Sequence, residues 1–204
     1  MSICNRSSPT ASNSRHQIDI PIMKQTSSIL KRGTSVLAMA SLFALGAYAQ
    51  DAPKLTDPEI AHVAVTANQI DVDYAAIAKE KSKNKDVLQF AATMAKDHTG
   101  VIKQASELAA KLGVTPKDNA MSKSLKEGEA KTSKMLRSLN GAAFDKAYID
   151  NEVAYHKAVI DAVKNVLIPQ TQNAELKNLL VSVAPVLDAH LAHAEMVQKE
   201  FAKK

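Results

Sequence analysis

The sequence predicts an all-α protein, an up-down four-helix bundle with a short extra helix between its second and third long helices, on three observations. The composition is poor in helix breakers and in large aromatics: 204 residues hold six Gly, seven Pro and no Trp, with 46% hydrophobic and 4% aromatic side chains. The abundant Ala, Leu, Lys and Glu are good helix formers. Apolar residues recur every three or four positions along four stretches of about 26 to 31 residues, and the period-two alternation of strands is absent throughout. A chain of this length can bury a sizeable core in one domain, and a lone Cys, Cys4, excludes a disulfide scaffold.

The elements follow in chain order. Residues 1–22 are polar and aperiodic. Lys24, Lys31 and Arg32 then precede the apolar run Val36–Gly46, and Ala47-Tyr48-Ala49 supplies a small-x-small cleavage site, the three parts of a secretory signal. The run is about 11 residues where a bilayer span needs about 20, so it reads as a cleaved signal and no integral membrane span is expected. A start at Met23 gives a signal of ordinary length over residues 23–49, leaves 1–22 as an upstream extension, and makes 50–204 the bundle domain. The expected location is periplasmic or extracellular, after cleavage near Ala49.

The formal charge of +5 changes meaning once this leader is set aside. Residues 1–49 carry five basic residues and one acidic residue, so residues 50–204 hold 21 Lys plus Arg against 20 Asp plus Glu. Those charges are interleaved, with no basic run flanked by aromatics, and no nucleic-acid partner is expected. Cys4 goes with the leader. The remaining chain is thiol-free, which suits an oxidising compartment, and no Cys after the apolar run could carry a lipid anchor.

Thr56-Asp57-Pro58-Glu59 has the form of a capping box and opens a first helix over 57–82, with Val63, Ala67, Ile70, Tyr74 and Ile77 on its inner face. A second helix starts near Asn84 and carries Val87, Phe90, Ala91, Met94, Val101, Ala105, Leu108 and Leu112 on one face. Gly113 is placed to end it in a left-handed cap, with Pro116 beyond. Residues 120–139 form a weaker amphipathic stretch interrupted by Gly128, expected as a short or broken connecting helix. Asn140 is expected to cap the third long helix, which buries Phe144, Ile149, Val153, Val159, Ile160, Val163 and Leu167 and stops before Pro169. The fourth runs over 172–202 through Leu176, Leu180, Val183, Leu187, Leu191 and Val197. The apolar pattern persists on both sides of Pro185, which should kink the helix rather than end it.

Several polar residues stand on these apolar faces. His98 follows Met94 by one turn, His156 shares a face with Val153, Val159, Ile160 and Val163, and His190 with Val183, Val186, Leu187, Ala194 and Val197. Asp71 lies beside the Ala67/Tyr74 seam, Asp97 next to His98, and Glu152 one turn before His156. Asp71, His98 and His156 each fall about 14 residues into their helix and His190 about 18, so at about 1.5 Å per residue all four sit near mid-height, within about one turn of each other. Imidazole and carboxylate without thiolate suit Fe, Mn, Zn, Ni or Cu. Glu152 and His156, and His190 and His193, each have spacings that can aim both side chains at one ion; Met94 could add a thioether, although a Met on such a stripe is ordinary core. The competing reading is a structural polar layer, since unpaired buried charge is costly and the groups can satisfy one another. A metal site requires the three imidazoles to lie within about 5 Å, each with a free nitrogen aimed at a common centre; a structural layer requires separate hydrogen bonds closed within each helix pair. His62, near the start of the first helix, is expected at the rim, and Tyr74, Tyr148 and Tyr155 as packing residues. No Ser/His/Asp elbow, phosphate-cradling Gly loop or CxxC is present, so no catalytic motif is identified and metal-dependent redox activity is the one enzymatic prospect.

Three segments carry a family resemblance: Phe90-Ala-Ala-Thr-Met-Ala-Lys-Asp-His98; Gly141-Ala-Ala-Phe-Asp-Lys-Ala-Tyr148 followed by His156; and Ala184-Pro185 followed by His190-Leu191. Over about residues 55–200 the chain resembles the secreted bacterial family known as domain of unknown function 4142. Its members are often named outer-membrane or exported proteins and are placed with the ferritin-like bundles. The resemblance implies a ferritin-like fold and export, and little about activity. An outer-membrane span conflicts with a helical bundle, which cannot close a barrel. Ferritin-like di-metal proteins supply one Glu from each of two helices and Glu-x-x-His from each of the others. This chain departs from that: it offers Asp71 on the first helix, adjacent Asp97 and His98 about 100° apart on the second, and Asp188, His190 and His193 on the fourth. A full di-iron centre is not spelled out, and a mononuclear or degenerate His-rich site is the expectation, with His98, His156, His190, Glu152 and Asp71 as its groups and His193 and Asp97 as further candidates. The alternative is a non-catalytic envelope or stress-response bundle that meets a protein partner.

Overall fold

The computed structural model describes residues 54–203, which form helices and contain no strand. The expectations placed on residues 1–49, a signal segment and a start at Met23, lie outside the described residues. Helix α1 (Asp57–Lys81) opens on the anticipated capping box: Glu59 Oε2 accepts from Thr56 N at 2.9 Å and from Thr56 Oγ1 at 2.6 Å. Its buried face carries Ile60, Val63, Ala67, Ile70, Tyr74 and Ile77. Helix α2 (Lys85–Lys111) is capped by Asn84 Oδ1, which accepts from Asp86 N and Val87 N, and beyond its C-terminus Gly113 adopts φ +63°. Only glycine takes that left-handed conformation at little cost.

The connecting stretch differs from its expectation. Helix α3 (Ala120–Ser138) runs unbroken for 19 residues through Gly128. An interior Gly costs about 1 kcal/mol, but the Asn119 side chain accepts from Met121 N and Ser122 N, and Leu125 and Leu136 bury their side chains. Together these outweigh one weak position. Helix α4 (Gly141–Ala162) differs at both ends. Asn140 occupies the cap position without making a side-chain capping bond, and the chain enters the helix instead through Gly141 at φ +56°. Nor does the helix stop before Pro169. A π-helical turn (Val163–Leu167) follows, with Ile168 N donating to Val163 O, and then one more helical turn, Ile168–Gln170. The wider turn offsets the hydrogen-bond ladder by one residue just ahead of the proline. Pro169 thus falls at the start of a new turn, where a missing N–H is tolerated. Helix α5 (Ala174–Ala202), capped by Asn173, continues through Pro185.

Contacts between the ends give the directions. Lys117 N donates to Pro58 O (2.9 Å), which places the exit of α2 beside the start of α1. Arg137 pairs with Glu80 (3.1 Å), so α3 ends beside the end of α1. Ser82 Oγ donates to Asp145 Oδ1 (2.5 Å), so α4 starts there too. Asp57 accepts from Gln172 N and Asn173 N (2.9 and 2.8 Å), which ties the turn into α5 back to the start of α1. Each helix therefore runs opposite to the one before it. The four long helices form a ring in which α1 and α5 each pack on α2 and α4, while α3 lies outside, chiefly on α1. The four long helices do not alternate in the expected up-down order: α3 carries the chain back to the end where α1 stops, so α2 and α4 run parallel across the ring. No described helix is long and apolar enough to cross a membrane.

Candidate metal centre

Each of the four long helices sends polar side chains into the middle of this ring: Asn68 and Asp71 from α1, His98 from α2, Glu152 and His156 from α4, and His190 from α5, all buried. They face inward because each sits in the i, i+3, i+4 register of its helix's apolar stripe. The ring centroids are 5.7 Å apart for His98 and His156, 5.1 Å for His98 and His190, and 5.6 Å for His156 and His190. Each of the three imidazoles offers a nitrogen within 4.8 Å of the other two; Asp71, Glu152 and His156 form a second such group. Tetrahedral coordination at about 2.0 Å puts ligand atoms about 3.3 Å apart, so the groups need only a small contraction to share an ion.

The hydrogen bonds decide which nitrogens are free. Asn68 Nδ2 donates to Ala64 O at 2.8 Å, which turns Asn68 Oδ1 towards His98 Nδ1 at 2.7 Å. His98 therefore carries its proton on Nδ1 and leaves Nε2 as a lone pair. His156 Nδ1 donates to the Glu152 backbone carbonyl at 3.0 Å, and His190 Nε2 to Asp97 Oδ2 at 3.1 Å. The opposite nitrogens, His98 Nε2, His156 Nε2 and His190 Nδ1, are buried and have no hydrogen-bond partner among the described residues. Asp71 Oδ2 lies 3.4 Å from His98 Nε2 and 3.8 Å from His156 Nε2. Asp71 Oδ1 and both oxygens of Glu152 have no hydrogen-bond partner among the described residues; Glu152 Oε2 lies 3.5 Å from His156 Nδ1, whose proton goes to the Glu152 carbonyl. Three lone pairs and two carboxylates thus share one enclosure, a set that a proton held between Glu152 and Asp71, or a cation, completes. Leaving such groups unsatisfied costs about 1–3 kcal/mol each.

The electrostatics follow from this crowding. Burial, reinforced by the neighbouring His156 and His190, lowers the His98 pKa to about 4 against the pull of Asp71. Burial also lowers that of His190, opposed by its bond to Asp97. Both rings are therefore neutral near pH 7, the form that ligates metals. Glu152, fully buried beside Asp71, is pushed well above the usual carboxyl range by burial and by that second carboxylate.

Other candidates lie at or beyond the edge. Asp97, set about 100° from His98, does not enter the enclosure, yet its carboxylate reaches His190 from a flank that is one-third exposed. His193 stands apart, its ring against Phe90 at 5.1 Å. Met94 is fully buried core, and His62 sits near Asp118 at 3.6 Å, towards the end of the bundle. Val186, placed on the His190 face by spacing, is 39% exposed; His190 occupies the margin of the buried stripe, so the residue one turn before it looks outward. Tyr74 packs edge-on against Tyr155, whose hydroxyl donates to Ala67 O at 2.9 Å. Spacing had not singled out Asn68 and Asn151; Tyr148, expected as a packing residue, is fully buried, and Tyr148 OH and Asn151 Nδ2 have no hydrogen-bond partner among the described residues. A polar Asn three residues before Asp71 on the same seam was the available signal for Asn68.

Residues 43–197 match the family described as Domain of unknown function (DUF4142). The chain belongs to the DUF4142 family. No curated protein matches this DUF4142 chain in sequence. Among solved structures it is similar to one described as CopM in the Cu(II)-bound form, with a TM-score of 0.56 and 14% sequence identity, over 73% of this chain and 99% of that one. At that identity the likeness shows a shared helical fold, in agreement with the all-α bundle expected from sequence.

Proposed function

We propose that this DUF4142 protein binds a transition-metal ion through His98 Nε2, His156 Nε2 and His190 Nδ1, with Asp71 and Glu152 as carboxylate ligands or charge-balancing neighbours. One observation carries this reading: each buried imidazole spends one nitrogen on a protein acceptor and keeps the other free inside the cluster. Metal-ligating histidines use this same division, their outer N–H held by a carbonyl or carboxylate that fixes the tautomer and raises basicity. In that scheme Asn68, the Glu152 carbonyl and Asp97 orient the rings. A set of imidazole and carboxylate donors accepts Fe, Mn, Zn or Cu, and affinity for such donors peaks at Cu(II). The Cu(II)-bound state named for the similar structure gives copper first place.

The competing structural layer accounts for part of the arrangement. Each outer hydrogen bond closes within one helix or one helix pair, and Asp71 and Glu152 could share a proton. It offers no partner for the three inner nitrogens.

The test is elemental analysis of the untagged protein after exposure to Cu, Zn, Fe and Mn in turn, beside the His98→Ala/His156→Ala/His190→Ala variant. One equivalent of metal retained by the wild type and lost by a still-helical variant is the expected result, with nitrogen hyperfine structure in the Cu(II) electron paramagnetic resonance spectrum. Equal retention by both would overturn the assignment of these residues. No retention by the wild type would leave the structural layer and its protein partner as the function to pursue. The proposal also includes export through residues 23–49; a mature N-terminus other than one close to residue 50 would overturn that part.

A further inference from the structure

A cavity of about 50 Å³ extends from the polar cluster towards the end of the bundle where α1 begins. Its polar contacts are confined to one end, at Asn68, Asp71 and His98, and the remaining wall is aliphatic, including Val163 and Leu167 of the π-helical turn and Leu180 and Leu187 of α5. Such a volume exceeds what one water needs, and apolar cavities stay dry: one of about 150 Å³ lined by aliphatic and aromatic side chains takes up benzene or xenon. A third of that volume admits only a molecule of two or three heavy atoms. The π turn bears on the cavity directly. Such turns insert one residue into a helix and are frequent at functional sites, and here the insertion lies in the stretch that lines the wall.

We propose that this cavity is a binding site for a small neutral apolar molecule of the size of dioxygen, held against Asp71 and His98. The aliphatic wall excludes ions and gives water no partners along most of its length. The polar end places the guest beside two buried groups with unsatisfied atoms, Asp71 Oδ1 and His98 Nε2. What the guest does there rests on the metal reading; its binding does not.

Methyl relaxation of the metal-free full-length protein under dissolved oxygen tests this, because paramagnetic dioxygen speeds the relaxation of the methyls it visits. Val163, Leu180 and Leu187 should relax several-fold faster than Val153 and Val197, which are comparably buried but line no part of the cavity. Ala162→Leu, which fills the wall beside the π turn, should erase the difference while leaving metal stoichiometry unchanged. Leu180→Ala should enlarge the site and raise xenon uptake, which keeps the test decisive if Ala162→Leu fails to fold. Equal relaxation of lining and control methyls in the wild type would overturn the proposal, as would a xenon uptake unaffected by either variant. Oxygen-dependent relaxation in a protein that retains no metal would uphold the cavity and remove only the metal reading.

Discussion

Glu152 lies fully buried beside Asp71, and its protonation links the cluster to stability. In the metal-free protein its pKa stands above the ordinary 4.5, so the folded state keeps a proton that the unfolded state releases, and stability falls as pH rises beyond about 4.5. His98 has the opposite sign: burial takes its pKa from 6.5 to about 4, the unfolded state binds the extra proton, and stability falls as pH drops below 6.5. These two groups should give the metal-free protein its highest Tm between about pH 4.5 and 6.5. Glu152→Gln should raise the metal-free Tm at pH 8 while weakening metal binding about tenfold to a hundredfold; a Tm unchanged at pH 8 would show that this carboxyl costs nothing there. Asp97→Asn should weaken binding about tenfold, since it leaves a poorer acceptor for His190, with little change in metal-free stability because the carboxylate is one-third exposed. Calorimetric titration checks both. The three histidines were legible because titratable side chains interrupt apolar stripes. Asn68 was passed over, since its place on the Asp71 seam does not say that an uncharged amide holds a ring, and Asp97 stood only as a further candidate because angular spacing ignores a side chain that reaches sideways across a helix junction.

At the scale of elements, α5 carries an exposed Pro185 five residues before His190. A proline inside a helix forfeits one hydrogen bond and crowds the carbonyl four residues earlier, at a cost of about 3 kcal/mol. Pro185→Ala should therefore stabilise the protein by about 1–3 kcal/mol in urea unfolding and, by redirecting the second half of α5, reduce metal affinity. Greater stability with full affinity would mean that Pro185 does not set the position of His190. Caps and stops written in side chains were readable, as at Thr56, Asn84 and Gly113. The passage through Pro169 was not, because a π turn has no residue signature: it exists where packing of Val163, Val166 and Leu167 rewards an extra residue. The continuity of α3 depended likewise on burial of Leu125 and Leu136, which a helix-breaking Gly128 obscured.

For the whole molecule, a ligand that binds only the folded state at a hundred times its Kd adds about 2.7 kcal/mol of stability. For a domain of this size that is a rise in Tm of about 5–10 °C. Adding Cu(II) should produce such a rise, a chelator should reverse it, and the triple His variant should show none; a rise equal in both proteins would place binding elsewhere. The all-α bundle was legible as a whole because its periodicity is long and unmixed. Which helices adjoin was not, since nothing in an apolar stripe says that α3 would pass outside α1 and set α2 parallel to α4.

The convergence of α1, α2, α4 and α5 on one cluster at mid-height has a kinetic consequence. An ion held there would join four helices at the point farthest from any frayed end, so opening at a terminus would not release it. Escape would require the ring to part at its waist. Metal exchange should then keep time with the slowest amide protons of the bundle, and the rate at which a chelator strips the protein should level off, indifferent to how much chelator is supplied.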